Sequence, residues 1–179
     1  MKVVLLYGKS GSGKTTITEE LVRRYPDCFN IIRSYTDRPR RYVGEEGHIF
    51  VSRDEILSIL DDESRVVAST VYGDYFYCSV IDQFVGGGCV NLYVVDLRGV
   101  RDMLEFQVLH PELCLELYIV EVRREDISVC SSRSCRDVGG FVFSGFDKDV
   151  FFNDGSVDVG VGVLFDMIFG FFVGGEEKV

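Results

Sequence analysis

Histidine is scarce in this chain, and cysteines in close pairs are missing. The two histidines are His48 and His110, and none of the six cysteines belongs to a Cys-x-x-Cys pair. Structural zinc sites draw their ligands from such pairs, so a zinc site is disfavoured, with Cys130 and Cys135 left as the remaining candidate pair. Several cysteines lie among apolar residues, as Cys89 does, so we expect reduced thiols of a cytoplasmic protein rather than a disulfide framework.

Positive charge is also in short supply. The 19 lysines and arginines stand against 29 aspartates and glutamates, which gives a net charge of −10. Nucleic-acid binding depends on basic patches that displace counterions, so this composition argues against a nucleic-acid partner. Four arginines nevertheless fall within nine residues that contain one acid: Arg33, Arg38, Arg40 and Arg41. In an acidic chain, such a cluster indicates a specific anion-binding site.

Long apolar runs are rare, and no basic segment followed by an apolar run begins the chain, so we expect no leader peptide. The one long apolar segment, 159–173, carries Asp166 near its middle and is short for a bilayer crossing. Its apolar residues recur at helical spacing, which predicts a helix packed on the core; a membrane anchor is the alternative. Gly160, Gly162 and Gly170 lower the helix propensity of this region.

The chain has 179 residues, 46% of them apolar, which suits one domain with a substantial core. Its strands and helices alternate, and this pattern predicts an α/β fold with a parallel sheet flanked by helices. Strands are predicted at 2–7, 28–33, 90–96, 115–120 and 149–152, and helices at 14–25, 99–108, 124–132 and 156–172.

The first predicted strand runs directly into the pattern Gly-x-x-x-x-Gly-Lys-Thr. The expected nucleotide-binding residues are Gly8, Lys9, Ser10, Gly11, Ser12, Gly13, Lys14, Thr15 and Thr16. The glycines allow backbone N–H groups to converge on phosphate oxygens, and the N-terminus of the following helix adds positive potential. We expect Lys14 to reach the outer phosphates and the Thr15 hydroxyl to ligate Mg²⁺.

The pattern changes between 34 and 84. Ser52 and Glu55 form a capping box for a short helix over 55–60, and 66–72 with 75–78 predicts a hairpin about Gly73. An insertion of strands that begins with the arginine cluster predicts a substrate-binding subdomain across a cleft from the phosphate loop.

Four segments carry a resemblance to a known family. Residues 34–52 are similar to the guanylate kinase pattern Ser-x-x-Thr-Arg-x-x-Arg-x-Gly-Glu followed by Tyr-x-Phe-Val-Ser. Residues 73–79, with one residue extra, are similar to its Gly-Asn-Tyr-Tyr-Gly-Ser/Thr, residues 96–100 to its Asp-x-x-Gly-Val, and residues 153–154 to its Asn-Asp pair. In order and spacing these segments cover nearly the whole chain, which therefore resembles guanylate kinases and the wider group of nucleoside monophosphate kinases.

The resemblance implies a single domain over 1–179. Its parts would be a phosphate-loop kinase core of about five strands (1–33 and 85–179), a β-rich NMP-binding insertion (34–84) and a short lid (about 124–146). It further implies ATP-dependent phosphorylation of a nucleoside monophosphate, with GMP or dGMP as the first expectation. ATP and Mg²⁺ would be the co-substrate and cofactor, with neither a nucleic acid nor a membrane as partner.

The resemblance also implies roles for individual residues. The acceptor nucleotide would be held by Ser34, Arg38, Arg41, His48, Tyr77, Ser79 and Asp96. The two arginines would bind its phosphate, helped by Tyr77, because bidentate guanidinium contacts suit a dianion. The two serines would help hold the base, and Asp96 would line the acceptor site or orient metal-bound water. Asn153 would sit near the ATP base, and Arg133 and Arg136 in the lid would cover the transferring phosphoryl group.

Three departures from the family pattern bear on this interpretation. Val67 stands where the family has a guanine-reading glutamate; Asp62, Glu63 or Asp74 are possible substitutes. His48 replaces a phosphate-binding tyrosine, which an imidazole donor can match. Residues 138–145 are rich in glycine and β-branched residues where the family has a charged helix, so the lid is expected to have low helix propensity.

Other functional classes stay open at this point. A non-catalytic guanylate-kinase-like binding module would have the same fold, although such modules typically have a degraded phosphate loop. Another phosphate-loop kinase of small molecules or deoxynucleotides is a further alternative. A GTPase is disfavoured because the chain contains no Asn-Lys-x-Asp string.

Overall fold

A computed structural model describes residues 1–125 and 146–173 of the chain. The strands are β1 Lys2–Tyr7, β2 Phe29–Ile32, β3 Tyr35–Thr36, β4 Ile49–Phe50, β5 Val66–Tyr72, β6 Tyr75–Val80, β7 Val90–Val94, β8 Glu116–Arg123 and β9 Asp149–Phe152. The helices are α1 Lys14–Arg24, α2 Arg53–Asp61, α3 Leu97–Leu109 and α4 Val157–Val173.

Five strands form a parallel sheet in the order β2-β7-β1-β8-β9. The central strand β1 is buried from Val3 to Tyr7 because helices cover both faces of the sheet. One face packs against α1 and α4, through residues such as Leu21 and Leu164. The other face packs against α3, through Val100 and Met103. The predicted α/β fold with a five-stranded parallel sheet flanked by helices is confirmed.

Element boundaries differ from the predictions where tertiary contacts extend an element. Strand β8 continues to Arg123, three residues past the expected end, because its residues 120–123 pair with β9. Helix α3 begins at Leu97 because the Asp96 side chain accepts a hydrogen bond from the Gly99 N–H and caps it. Of the helix predicted over 124–132, residues 124 and 125 are not helical, and the remainder lies outside the described residues.

The segment between β2 and β7 contains a second, four-stranded sheet in the order β4-β3-β6-β5. The hairpin of β5 and β6 turns at Gly73, whose φ of 61° is in the left-handed region. The predicted capping box of α2 is present, because the Ser52 side chain accepts from the Glu55 N–H and the Glu55 carboxylate accepts in return. The strands β3 and β4 have only two residues each, too short to show an alternating pattern in the sequence.

Helix α4 packs on the core, as the spacing of its apolar residues predicts. Gly160 lies at its closest approach to α1, because a Cβ there would stand 2.7 Å from Cδ1 of Ile17. Gly162 and Gly170 face open space, and no packing reason for them is evident. None of the helices within 1–125 and 146–173 is long and apolar enough to cross a membrane.

Candidate functional site

The phosphate loop lies at the carboxyl end of β1, between that strand and α1. A Cβ at Gly8 would stand 2.2 Å from the carbonyl oxygen of Val122, so glycine is required where the loop passes β8. Gly13 has a φ of 87°, the left-handed conformation that glycine adopts without strain. The Lys14 ammonium donates to the carbonyl oxygens of Gly8 at 2.7 Å and of Lys9 at 2.8 Å. These contacts place the lysine within the curl of the loop.

Asn153, which directly follows strand β9, contacts the phosphate loop and stabilises it. Its side chain is 6% exposed, and its Nδ2 donates to the carbonyl oxygen of Ser12 at 2.8 Å. Its backbone N–H donates to the Arg123 carbonyl at 2.8 Å, which fixes the residue at the end of β9. The side chain therefore holds the phosphate loop in place, and the predicted contact with the ATP base stays a prediction.

The first turn of α1, which follows the loop, has no side-chain cap for its N–H groups. Gly13 at the N-cap makes no side-chain capping bond, and the first turn contains no acidic residue. Thr15 and Thr16 on this turn are exposed. The uncapped N–H groups and the helix dipole together favour an anion at this position.

A cleft of about 830 Å³ separates α1 from the inserted sheet. Thr15 and Thr16 line it from the side of the phosphate loop. Arg41 and His48 line it from the insertion, and Ser34 lies between the two sides. The structure thus brings residues predicted for the donor nucleotide and for the acceptor nucleotide to one opening.

Arg38 lies behind this cleft rather than on its wall. The residue is 7% exposed, and its two terminal nitrogens donate to the Glu45 carboxylate at 3.2 and 2.8 Å. The Glu45 carboxylate also accepts from the Arg41 N–H at 2.7 Å. The Arg38 hydrogen bonds in particular, supported by that of Arg41, lower the pKa of Glu45 to about 2. The buried pair therefore fixes the backbone that presents Arg41, whose own side chain is half-exposed in the cleft.

Three buried nitrogen atoms in this region have no hydrogen-bond partner among the described residues. They are Nε of Arg33, Nε of Arg38 and Nδ1 of His48. Burial, and secondarily the charge of Arg38, lowers the pKa of His48 below its ordinary 6.5, so its imidazole is neutral at pH 7. Unpaired buried donors are costly, and their grouping beside an open cleft is typical of an anion-binding site.

A second, smaller cavity of about 160 Å³ opens beyond Ser34 toward α3. Tyr77 and Asp96 line it, as the predicted acceptor site requires. Ser79 lies directly behind, donating to the Ser34 hydroxyl at 3.1 Å and accepting from the Tyr93 hydroxyl at 2.8 Å. Sequence reasoning did not identify Tyr93. Its one signal in the sequence was a tyrosine within a buried strand, since a buried tyrosine hydroxyl needs a hydrogen-bond partner.

None of the carboxylates considered as substitutes for the missing glutamate lines this cavity. Val67 is 3% exposed and packs in the core against the face of the sheet that α3 covers. Asp62 caps the end of α2, Asp74 lies in the hairpin turn, and Glu63 borders a different depression. The suggestion that one of these three residues replaces the glutamate therefore gains no support from the geometry of this cavity.

The predicted lid residues Arg133 and Arg136, like Cys130 and Cys135, lie outside the described residues. The cysteines that the structure does describe, Cys28, Cys78, Cys89 and Cys114, are free thiols. Within the described ranges, no group of three or more histidine, cysteine or acidic side chains could hold a metal ion.

Comparisons with known proteins agree with the family resemblance and with the observed fold. A sequence model of the family described as guanylate kinase matches residues 1–84. The guanylate kinase of Wolinella succinogenes is 23% identical over 128 residues, which are 70% of this chain and 58% of that protein. The guanylate kinase of Chlamydia trachomatis serovar D is 31% identical over 102 residues, 55% of this chain and 50% of that protein. The chain thus spans little more than half the length of the curated relatives it matches.

A solved structure, that of guanylate kinase from Anaplasma phagocytophilum, superposes with a TM-score of 0.64 over 93% of this chain and 84% of that one. At 16% identity, this likeness shows the shared fold. The family model, the curated relatives and the shared fold together confirm that this chain resembles the guanylate kinase family, with the family match carried by residues 1–84.

Proposed function

We propose that this chain transfers the γ-phosphoryl group of ATP to a nucleoside monophosphate, GMP or dGMP first, giving ADP and the nucleoside diphosphate. The observation that supports this most directly is the single cleft lined by Thr15 on one side and by Arg41 and His48 on the other. The two substrates of such a reaction are both anions, and this cleft offers phosphate-binding groups from both walls.

On the donor side, the N–H groups of the loop and of the first turn of α1 would hold the ATP phosphates. Lys14 would exchange its contacts with the Gly8 and Lys9 carbonyls for the outer phosphates. Mg²⁺ commonly takes one or two protein oxygens and completes its shell with phosphates and water. The exposed Thr15 hydroxyl at the cleft fits that requirement, and the bound ion would neutralise charge on the transferring group.

On the acceptor side, Arg41 is the guanidinium exposed in the cleft and would bind the monophosphate directly. Arg38 would stabilise that arrangement through Glu45 and could add its unpaired Nε–H. The neutral His48 imidazole would donate one hydrogen bond to the same phosphate. The base would extend past Ser34 into the smaller cavity, which Tyr77 and Asp96 line.

Transfer between phosphates requires in-line positioning and charge neutralisation more than covalent chemistry. The acceptor phosphate oxygen attacks the γ-phosphorus as the bond to the β-phosphate oxygen breaks, and ADP leaves. Water must be excluded to prevent hydrolysis, and Arg133 and Arg136 in the lid remain the predicted residues for that role. Because ATP and nucleoside monophosphates are metabolites of the cytoplasm, we propose that location for the enzyme.

The test is a coupled assay of ADP formation with Mg·ATP and each ribo- and deoxynucleoside monophosphate in turn. Lys14→Ala should lower kcat by about 100- to 1000-fold, as removal of a group that stabilises transition-state charge does. Arg41→Ala should raise the acceptor KM about tenfold or more while leaving the KM of ATP nearly unchanged. Arg23→Ala, which removes a charge from the exposed end of α1, is the matched control and should change neither constant.

Wild-type protein that turns over no acceptor would exclude the kinase function. If that protein still bound Mg·ATP tightly, the result would favour a binding module instead. Activity restricted to deoxynucleotides or to another small molecule would support a phosphate-loop kinase, but one with a different acceptor from the one proposed.

A further inference from the structure

Helix α3 contributes a carboxylate to the smaller cavity just beyond the family-like segment 96–100. Asp102 lines the cavity together with Asp96 and Gly99, all on the same face of the start of α3. The resemblance in this region ends at residue 100, so it assigns no role to Asp102. Gly99 between the two acids packs closely against Val95, because a Cβ at this position would stand 2.9 Å from Cβ of Val95.

The Asp102 carboxylate is held in place by the inserted sheet. Its Oδ2 accepts from the Ser69 N–H at 3.2 Å, on the outer edge of the four-stranded sheet. Its Oδ1 accepts no hydrogen bond from the described residues. Burial raises the pKa of Asp102 above its ordinary 3.8, and the hydrogen bond from the Ser69 N–H and the charge of nearby Arg98 offset that effect only in part. The group is thus an oriented carboxylate with acceptor capacity left at the cavity.

We infer that Asp102 recognises the acceptor base by accepting hydrogen bonds from its N–H groups. It would thereby take the role of the family's glutamate, whose position is occupied here by Val67. This inference rests on the proposed function, which brings the acceptor nucleotide into the cavity. The phosphate at Arg41 and the base beside Asp102 then occupy the two adjoining clefts, with Ser34 lining both.

The chemistry of a carboxylate selects among the bases. An ionised carboxylate only accepts hydrogen bonds, and its two oxygens accept side by side. Guanine presents two neighbouring donors, N1–H and the 2-amino group, which match this arrangement. Adenine and cytosine place an acceptor nitrogen beside their amino group, and uracil flanks its single N–H with two carbonyl oxygens. Asp102 therefore favours guanine, and hypoxanthine, which lacks the 2-amino group, should be used less well.

A purely structural role for Asp102 is the competing explanation, because its bond to Ser69 joins the insertion to the core. The substitution Asp102→Asn separates the two roles. Asparagine keeps an oxygen that can accept from the Ser69 N–H, but it replaces the other acceptor with a donor. Docking of the insertion is then preserved while base recognition is changed.

The experiment measures kcat/KM for GMP and for IMP, and the binding of each nucleotide by calorimetry, in wild type and in Asp102→Asn. We expect wild type to prefer GMP and the variant to lose at least about tenfold of that preference, because buried polar groups left unpaired reject a substrate strongly. The matched control is Glu105→Gln, which removes the same charge from an exposed position one turn further along α3. It should leave the GMP-to-IMP ratio unchanged.

An unchanged ratio in Asp102→Asn, or the lack of any GMP preference in wild type, would overturn the inference. A thermal unfolding curve shows whether the variant folds, and Asp102→Ser, which also removes the carboxylate, supplies a second comparison. Failure of the proposed kinase function is distinguishable, because it appears as absent turnover in wild type with every acceptor. In that case the ratio of the calorimetric binding constants for GMP and IMP, compared between wild type and Asp102→Asn, still tests whether Asp102 recognises the base. A wild type that binds neither nucleotide overturns both proposals.

Discussion

The carboxamide of Asn153 donates from Nδ2 to the carbonyl oxygen of Ser12 at 2.8 Å, joining the last strand of the core sheet to the phosphate loop. The bond is buried, and the Cβ that Gly13 lacks would stand 2.3 Å from the same Nδ2. The loop conformation therefore depends on a residue 141 positions away in the sequence. The relationship assigns Asn153 a positioning role that can be tested separately from contact with the nucleotide.

Replacing Asn153 by alanine should loosen the phosphate loop. The lost bond leaves the buried Ser12 carbonyl without its donor, at a cost of about 1–3 kcal/mol in the free energy of unfolding. We expect a lower Tm and weaker binding of Mg·ATP in calorimetry. Asp154→Asn is the control, since asparagine still offers Oδ1 to the Glu125 N–H that Asp154 serves. Unchanged ATP binding in Asn153→Ala would exclude the positioning role.

Two glycines of α4 should respond to alanine in opposite directions. Gly162 faces open space, so alanine there should stabilise the helix by about 0.5–1 kcal/mol. At Gly160 the new methyl group would meet Ile17, which is buried in the core and cannot yield without displacing its neighbours. Gly160→Ala should therefore lower the free energy of unfolding in urea. Equal gains for both variants would contradict the close approach of α4 to α1.

The ion pair of Arg38 and Glu45 should make the free energy of unfolding depend on pH in the acid range. The pKa of Glu45 is about 2 in the folded protein and 4.5 ordinarily, so the unfolded state binds the proton first. The stabilisation is complete above pH 4.5 and is lost as the pH falls toward 2. Glu45→Gln should cost about 3 kcal/mol at pH 7, because it leaves a buried charge without its partner.

Unfolding free energies of wild type and Glu45→Gln, measured from pH 7 down to pH 2, should accordingly converge at the acid end. Glu46→Gln, at the exposed neighbouring position, controls for the loss of one negative charge. Parallel curves that keep a constant separation across this range would show that Glu45 gains nothing from ionisation.

Removing the Tyr93 hydroxyl should weaken binding of the acceptor without changing the binding of ATP. Tyr93→Phe deletes the donor to Ser79 and so loosens the chain of hydroxyls that positions Ser34. We expect a loss of about 1 kcal/mol in stability and a higher KM for the acceptor with an unchanged KM for ATP. Tyr118→Phe is the control, because it deletes a similar bond, to Asp149 at 2.7 Å, on the opposite side of the sheet from this cavity. If both variants changed the two KM values alike, the assignment of Tyr93 would be wrong.

The local pattern of the sequence was sufficient for the core elements and for the phosphate loop. After Lys2, strand β1 is a continuous apolar run, and the loop that follows needs glycine at Gly8 and Gly13 for reasons of backbone geometry. The hairpin about Gly73 and the capping box at Ser52 are likewise local, since each depends on residues within one turn. Such features can be predicted from the sequence because their energy depends mainly on residues that are close together in the chain.

The contacts that shape the site depend on residues far apart in the chain. The sequence shows an asparagine at Asn153, a tyrosine at Tyr93 and an aspartate at Asp102, but not the groups that each one meets. Those partners are fixed only when the parallel sheet brings its carboxyl ends together and the insertion docks on α3. The sequence by itself therefore determined the layers of the fold and the loop that is predicted to bind phosphate. The tertiary structure decided which side chains support the loop and which carboxylates line the smaller cavity, because hydrogen bonds and burial act across space and not along the chain.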